Sequence, residues 1–174
     1  MKELILGGVR SGKSRLAEAR ARASGARVVY VATAVAAGDA ELESRIAQHR
    51  ARRPSSWQLV EEPVALARVL REHASHGCCV VVECLTLWLT NLLCGPDPAA
   101  LERERTALLQ SLPMMHAHLI LVSNETGLGV VPLGALSRRF VDESGTLHQS
   151  LAALCDRVTL MVAGLPLTVK GESP

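Results

Sequence analysis

The sequence has little of what marks proteins that bind nucleic acids. Aromatic residues make up only 2% of its 174 residues, and its formal net charge is +2, from 19 Lys and Arg against 17 Asp and Glu. Few aromatic side chains leave few platforms on which single-stranded bases can stack. A nearly balanced charge provides no broad attraction to a polyanion. We therefore expect no nucleic acid among the partners.

The chain also lacks the patterns of a disulfide framework, a zinc site and a membrane span. Its five cysteines are an odd number without a C-x-x-C pair, which favours buried thiols in a reducing compartment. The histidines at 73, 76, 116 and 118 have no cysteine or carboxylate at metal-ligand spacing. No apolar stretch reaches the roughly 18 residues of a span, and no cationic leader opens the chain. We expect a cytoplasmic protein without stable membrane insertion.

Short β-branched runs alternate with helical patterns along the chain. Strands are predicted over 3–6, 27–31, 58–61, 79–83, 119–123 and 158–162. Helices are predicted over 13–23, 39–52, 64–75, 98–112 and 133–154, with Gly145 marking a candidate break in the last. Several strands are apolar on both faces, as buried parallel strands are. The pattern predicts a three-layer α/β fold with a mostly parallel central sheet, as one domain over 1–170 with a flexible tail over 171–174.

One glycine-rich segment carries the strongest functional signal. It follows the apolar run 4–6 and consists of Gly7, Gly8, Val9, Arg10, Ser11, Gly12, Lys13 and Ser14. Between a strand and a helix, this G-x-x-x-x-G-K-[ST] pattern directs backbone N–H groups at phosphate oxygens. Lys13 would reach the β- and γ-phosphates, and Ser14 would hold Mg²⁺. The alternative is a glycine-rich turn that carries Lys-Ser by chance, but its position favours a nucleoside triphosphate site.

A phosphate loop needs a second acidic group to organise the metal, usually at the end of a neighbouring apolar strand. Glu83 follows three consecutive valines, 80–82. A buried, unpaired carboxylate there would be costly, so we expect it at the carboxyl edge of the sheet, where ligands collect. Contact with Mg²⁺ is one interpretation, and a surface salt bridge is the other.

A charged helical segment supplies a candidate nucleophile. Glu41, Arg45 and His49 follow one another at i, i+4 spacing, beside the apolar strip of Leu42 and Ile46. A neutral imidazole is a competent nucleophile, and neighbouring arginines would hold it neutral while they bind phosphate oxygens. The spacing alone leaves an ordinary surface histidine as the alternative.

Two further segments have open interpretations. Asn124 and Glu125 follow an apolar run and precede Gly127 and Gly129, so they either bind hydroxyls or amides or form a plain turn. The stretch that begins at Arg138 either clamps an anionic substrate or forms the solvated face of a helix.

Taken together, the sequence resembles the bifunctional adenosylcobinamide kinase and adenosylcobinamide-phosphate guanylyltransferase family of cobalamin biosynthesis, over nearly its whole length. Besides 7–14, the matching segments include 30–34, Arg45 and Ile46 with His49, Arg53 and Pro54 with Trp57, Glu61, 83–93, Asn124 and Glu125, 129–132, Arg138, Gln149 and 163–167. This ordered set is far more specific than a phosphate loop alone.

The resemblance implies a RecA-like P-loop fold and two reactions. The first phosphorylates adenosylcobinamide with ATP or GTP and Mg²⁺. The second transfers GMP from GTP, through a guanylylated His49, to adenosylcobinamide phosphate, and releases pyrophosphate. The resemblance also implies a homotrimer and nucleotide contacts at Ala32, Thr33, Ala34, Arg50, Ala51, Arg52, Arg53, Glu61 and Glu83.

The chain departs from the family pattern at four positions. Leu6, Leu59, Val141 and His148 stand where Thr, Thr, Arg and Asn are common in the family. Two other functions stay open on the sequence. One is a different small-molecule P-loop kinase without guanylyl transfer, and the other is a regulator that binds a nucleotide without turning over a small molecule.

Overall fold

A seven-stranded sheet forms the centre of the described part of the protein. The computed structural model describes residues 1–35, 44, 47 and 53–172. The strands are β1 (Lys2–Gly7), β2 (Arg27–Ala32), β3 (Gln58–Glu61), β4 (Cys78–Glu83), β5 (His118–Asn124), β6 (Arg157–Val162) and β7 (Leu165–Lys170). Their order is β3-β2-β4-β5-β1-β6-β7, and every pair is parallel except β6 with β7. The predicted mostly parallel sheet is confirmed.

Helices cover both faces of this sheet. Within the described ranges they are α1 (Lys13–Ala23), α2 (Leu66–His73), α3 (Leu85–Cys94), α4 (Ala100–Ser111) and α5 (Ala135–Leu154), with a 3₁₀ turn over Leu112–Met114. Ser44 and Ala47 are also helical, and the rest of the helix predicted over 39–52 lies outside the described residues. None of the helices that the structure describes is long and apolar enough to cross a membrane.

The side chains of each strand alternate between the two faces of the sheet, and this divides the core into two layers. In β4, Val80 and Val82 pack with the helices α2 to α5, whereas Cys79 and Val81 pack with α1. Successive side chains of a strand point to opposite faces, so α1 lies on one face and the other four helices lie on the opposite face. This is the predicted three-layer arrangement.

Three features differ from the sequence predictions. Strand β7 was not predicted, although Ala163 and Gly164, with φ of +50° and +85°, form the two-residue turn of a hairpin between β6 and β7. Helix α3 was not predicted either. Helix α5 continues through Gly145, because burial of Leu147 and Leu151 in the core outweighs the roughly 1 kcal/mol that a helical glycine costs. The domain boundary at 170 and the flexible tail stay predictions, and residues 173 and 174 lie outside the described part.

The strand register brings the predicted site residues to one edge. Ala32 at the end of β2 is opposite Glu61 of β3 on one side and Glu83 of β4 on the other. Gly7 at the end of β1 is opposite Asn124 of β5. Since these strands are parallel, their carboxyl ends form a continuous row beside the phosphate loop.

Candidate nucleotide site at the carboxyl edge of the sheet

The phosphate loop requires glycine where it leaves β1. A Cβ atom on Gly7 would lie 2.6 Å from both the Met161 carbonyl oxygen and Ser11 Oγ, which leaves no room for a side chain. Gly12 has a φ of +100° and immediately precedes the first residue of α1. These backbone constraints turn the chain sharply from strand to helix, so that the amino end of α1 faces the loop.

Lys13 is held over the loop that precedes it. Its ammonium group donates a 2.6 Å hydrogen bond to the Gly8 carbonyl oxygen, and the residue is only 7% exposed. Burial lowers the pKa of Lys13, and the charges of Cys84 and Glu83 oppose that shift. The Lys13 side chain therefore lies against the loop that the sequence predicts to bind phosphate.

Ser14, in the first turn of α1, is in direct contact with Glu83 at the end of β4. Ser14 Oγ donates a hydrogen bond to Glu83 Oε1, and the Tyr30 hydroxyl donates a 2.5 Å hydrogen bond to Glu83 Oε2. Strand β5 separates β4 from β1, but α1 packs against β4 as well as β1, which brings Ser14 to the end of β4. Burial, followed by the charge of Glu83, raises the pKa of Tyr30, so this phenol stays a hydrogen-bond donor.

The Ser14 and Glu83 oxygens fit a hard cation. No group of three or more His, Cys, Asp or Glu residues is arranged for metal binding in the part of the chain that the structure describes. Mg²⁺, however, is commonly held by one or two protein oxygens together with substrate phosphates and water. A hydroxyl and a carboxylate in direct contact beside a phosphate loop meet that requirement.

The residues after β2 have different roles. Thr33 is buried, and its hydroxyl donates a 2.7 Å hydrogen bond to the Cys84 carbonyl oxygen and accepts one of 2.9 Å from the Cys84 N–H. It therefore joins the chain after β2 to the chain after β4. Ala32 and Ala34 are half-buried at the same edge, and Glu61 is exposed at the end of β3.

Arg53 belongs to a group of aromatic and cationic side chains that includes Tyr30. Its guanidinium carbon lies 4.1 Å from the centroid of the Tyr30 ring. The Tyr30 and Trp57 rings stack with centroids 6.4 Å apart, and Arg22 lies over Trp57 at 5.6 Å. These contacts border a cavity of about 150 Å³ lined by Tyr30, Arg53, Pro54, Ser55, Trp57 and Leu59.

The structure adds Tyr30 as a site residue that no functional prediction included. Tyr30 is the one tyrosine of the sequence and lies in an apolar run. A buried phenol usually needs a hydrogen-bond partner, so this position was a signal for a polar contact. The predicted site residues His49, Arg50, Ala51 and Arg52 lie outside the described residues.

The end of β5 lies directly beside the phosphate loop. The Glu125 N–H donates a 2.9 Å hydrogen bond to the Gly7 carbonyl oxygen, and Asn124 Nδ2 donates one of 2.9 Å to Thr86 Oγ1. Arg138 instead donates to carbonyl oxygens just before α5, including that of Leu133. The structure therefore brings Asn124 and Glu125, but not the Arg138 guanidinium, into contact with the elements that form the candidate site.

Comparison with known proteins supplies the family context. A family model described as cobinamide kinase / cobinamide phosphate guanyltransferase matches residues 3–169. The chain is 62% identical over 172 residues to the bifunctional adenosylcobalamin biosynthesis protein CobP of Pseudomonas aeruginosa, with 99% of each chain covered. It is 38% identical to the bifunctional adenosylcobalamin biosynthesis protein CobU of Escherichia coli, covering 96% of this chain and 98% of that protein.

The fold is also found in a recombinase. The crystal structure of the RadB recombinase matches with a TM-score of 0.51 and 20% identity, over 91% of this chain and 73% of that one. At this level of identity the match concerns the fold alone, and it agrees with the RecA-like fold that the family resemblance implied.

Proposed function

The chain belongs to the cobinamide kinase / cobinamide phosphate guanyltransferase family, and from that premise we propose that it catalyses both reactions of cobinamide activation. The first transfers the γ-phosphate of ATP or GTP to the hydroxyl of adenosylcobinamide. The second transfers GMP from GTP to adenosylcobinamide phosphate. The observation that carries this proposal is the phosphate loop with Lys13 above it and the Ser14–Glu83 contact beside it.

In the phosphorylation step, the loop N–H groups and Lys13 bind and orient the triphosphate. The hydroxyl oxygen of adenosylcobinamide attacks the γ-phosphorus, and the nucleoside diphosphate leaves. Positioning and charge stabilisation supply most of the catalysis in such transfers. Ser14 and Glu83 would hold Mg²⁺, which neutralises charge on the phosphate oxygens when it is bound.

In the guanylylation step, His49 is the proposed nucleophile. Its imidazole attacks the α-phosphorus of GTP, pyrophosphate leaves, and GMP stays on the ring. The phosphate of adenosylcobinamide phosphate then attacks this phosphorus, forms adenosyl-GDP-cobinamide and frees His49. A covalent intermediate divides one difficult displacement between two polyanions into two easier steps.

The remaining nucleotide contacts are assigned by position. Arg50, Ala51, Arg52 and Arg53 would surround the transferred phosphoryl group. The guanidinium of Arg53 over the ring of Tyr30, whose hydroxyl contacts Glu83, supports this. Ala32, Ala34 and Glu61 would line the nucleoside pocket at the sheet edge. Thr33 would shape that pocket through its two hydrogen bonds with Cys84, since its hydroxyl is already engaged.

We also propose a homotrimer and a cytoplasmic location. Apolar side chains in the segment between β5 and α5 are strongly exposed: Leu128 82%, Val130 97%, Val131 66% and Leu133 96%. Contiguous exposed apolar surface marks interaction sites, and a neighbouring subunit would both cover it and complete a cleft for a corrinoid. Sedimentation should give a trimer mass, and a monomer at working concentration would contradict it.

The free thiols of Cys78, Cys79, Cys84 and Cys155 are buried, which supports the proposed cytoplasmic location, a reducing compartment.

The two activities are separated by the position of the radiolabel. With adenosylcobinamide and γ-³²P-ATP or γ-³²P-GTP, label should pass to the corrinoid. With α-³²P-GTP, label should attach to the protein and then appear in adenosyl-GDP-cobinamide, with release of pyrophosphate. Phosphoryl transfer without a protein adduct would indicate a kinase alone, and nucleotide binding without either transfer would indicate a regulator.

A further inference from the structure

The side chains of Ser123, His148 and Glu125 form a connected group at the end of β5, next to the start of the phosphate loop. His148 Nε2 lies 2.7 Å from Ser123 Oγ, and His148 Nδ1 lies 3.8 Å from Glu125 Oε2. Ser123 is 1% exposed and His148 is 7% exposed, whereas the Glu125 side chain is 20% exposed. The set therefore runs outward from strand β5 to a carboxylate at the surface.

The protonation of His148 follows from these surroundings. Burial lowers the pKa of His148, and the charge of Glu125 opposes that shift, so the ring is neutral at neutral pH. A neutral imidazole carries one N–H. Because Nδ1 faces a carboxylate, we assign the proton to Nδ1, and Nε2 then accepts a hydrogen bond from the Ser123 hydroxyl.

Ser123, His148 and Glu125 follow the order Ser–His–acid of a hydrolase triad, but the burial of Ser123 excludes a role as the nucleophile. A nucleophilic serine must reach the substrate, and Ser123 lies inside the sheet at 1% exposure. Only Glu125 reaches the surface. Ser123 and His148 are thus supports, and the carboxylate is the group that can meet a ligand.

Glu125 is fixed at the start of the phosphate loop. Its backbone N–H donates to the Gly7 carbonyl oxygen at 2.9 Å, and its Oε1 accepts a 2.6 Å hydrogen bond from the Gly127 N–H. Oε2 faces His148 at 3.8 Å, beyond a direct hydrogen bond. Such contacts are often long without substrate and tighten in the reacting complex.

We propose that Glu125 accepts the proton of the acceptor hydroxyl during phosphoryl transfer, and that His148 is a positioning residue for it. This rests on the proposed kinase function. The hydroxyl O–H bond breaks and its proton passes to Glu125, while the oxygen forms a bond to the γ-phosphorus. The bond from the γ-phosphorus to the bridging oxygen breaks, and that electron pair leaves with the nucleoside diphosphate. Glu125 takes no part in guanylylation.

The first test separates the two half-reactions. In Glu125→Gln we expect kcat for phosphorylation of adenosylcobinamide to fall by about 100-fold or more, as for loss of a general base. The KM for ATP should stay within about threefold of the wild-type value, because the contacts with the triphosphate remain. Attachment of GMP from α-³²P-GTP should match the wild-type chain. The matched control is Glu102→Gln on α4, whose side chain is 71% exposed.

The second test asks whether His148 acts through Glu125. His148→Asn keeps an N–H donor that can meet the carboxylate, whereas His148→Leu removes it. Both variants should leave GMP attachment intact. The kcat for phosphorylation should be several-fold higher in the asparagine variant than in the leucine variant, while the KM values of the two variants should be similar. Equal kcat values in the two variants would overturn the positioning role.

The outcomes also separate this inference from the function on which it rests. If the wild-type chain does not phosphorylate adenosylcobinamide, the proposed kinase function fails. If it does, and Glu125→Gln retains wild-type kcat, the assignment of Glu125 is wrong. A thermal unfolding curve for each variant shows whether a loss of rate reflects a loss of folded protein.

Discussion

Ser14 donates a hydrogen bond to Glu83, and this contact joins the first turn of α1 to the end of β4. The second Glu83 oxygen accepts from the Tyr30 hydroxyl. The carboxylate is thus oriented through both oxygens beside the phosphate loop. Its geometry depends on β2, β4 and α1 together.

Replacement of Glu83 should weaken the use of Mg²⁺. In Glu83→Gln the amide keeps the shape but loses the charge, so the Mg²⁺ concentration for half-maximal phosphorylation should rise by about tenfold or more. Tyr30→Phe keeps the carboxylate charge and should give a smaller rise. Titration of each variant with Mg²⁺ at saturating ATP measures this. An unchanged titration in Glu83→Gln would show that the carboxylate does not serve the metal.

Loss of Lys13 should remove both half-reactions if one phosphate site serves both. Lys13→Ala deletes the cation that meets the triphosphate, so phosphorylation and GMP attachment should each fall by about 100-fold or more. Lys2→Ala, at the opposite end of β1, is the matched control. Guanylylation that survives in Lys13→Ala would require a second nucleotide site.

Two neighbouring glycines should respond differently to alanine. A Cβ on Gly7 meets Met161 and Ser11 at 2.6 Å, whereas a Cβ on Gly8 meets nothing within 4 Å. Gly7→Ala should therefore lower the free energy of unfolding by about 1–3 kcal/mol, and Gly8→Ala should change it by about 0.5 kcal/mol or less. Urea denaturation measures both, and equal effects would contradict the close approach at Gly7.

His148 should make the fold sensitive to mild acid. Burial lowers the pKa of His148 from its ordinary 6.5 in the folded state, so the unfolded chain binds this proton at a higher pH than the folded chain does. Stability from neutral His148 is present above about pH 6.5 and is lost as the pH falls through its folded value.

The matched variant for this pH effect is His148→Asn, which cannot titrate. Urea denaturation at about pH 7.5 and about pH 5.5 should show a smaller loss of stability on acidification in the variant than in the wild-type chain. Burial raises the pKa of Glu3, but contacts with His118, Arg20 and Arg157 lower it by more, so that the net pKa lies below the ordinary 4.5. Glu3 therefore affects stability at a lower pH than His148 does. Equal losses in the two proteins would contradict the role given to His148.

The elements that were predicted carry strong local signals. Val80, Val81 and Val82 indicate a strand buried on both faces, and β4 is that strand. The loop glycines with Lys13 indicate the start of a helix, and α1 begins at Lys13. Strand β7 has no such signal, because it lies at the sheet edge and contains Pro166, and proline weakens a strand prediction.

Helix α3 was missed for a different reason. It lies in an apolar stretch in which Leu85, Trp88, Leu89 and Leu92 recur at helical spacing and are buried in the core. That periodicity is a local signal, and it was sufficient to predict the helix.

The contacts within the site depend on the tertiary fold. Tyr30 and Glu83 are 53 residues apart in the chain, and Ser123 and His148 are 25 residues apart. Their hydrogen bonds arise from strand order and helix packing, which the local pattern does not specify. The sequence therefore predicted the carboxylate at position 83 but not the phenol that orients it.

Covalent capture of GMP by His49 is the central claim, and labelling with α-³²P-GTP tests it most directly. The wild-type chain should take up stoichiometric label in an acid-labile, base-stable linkage. His49→Ala should take up none, while His76→Ala, which removes an exposed histidine, should match the wild-type chain. Unchanged labelling of His49→Ala would contradict the account.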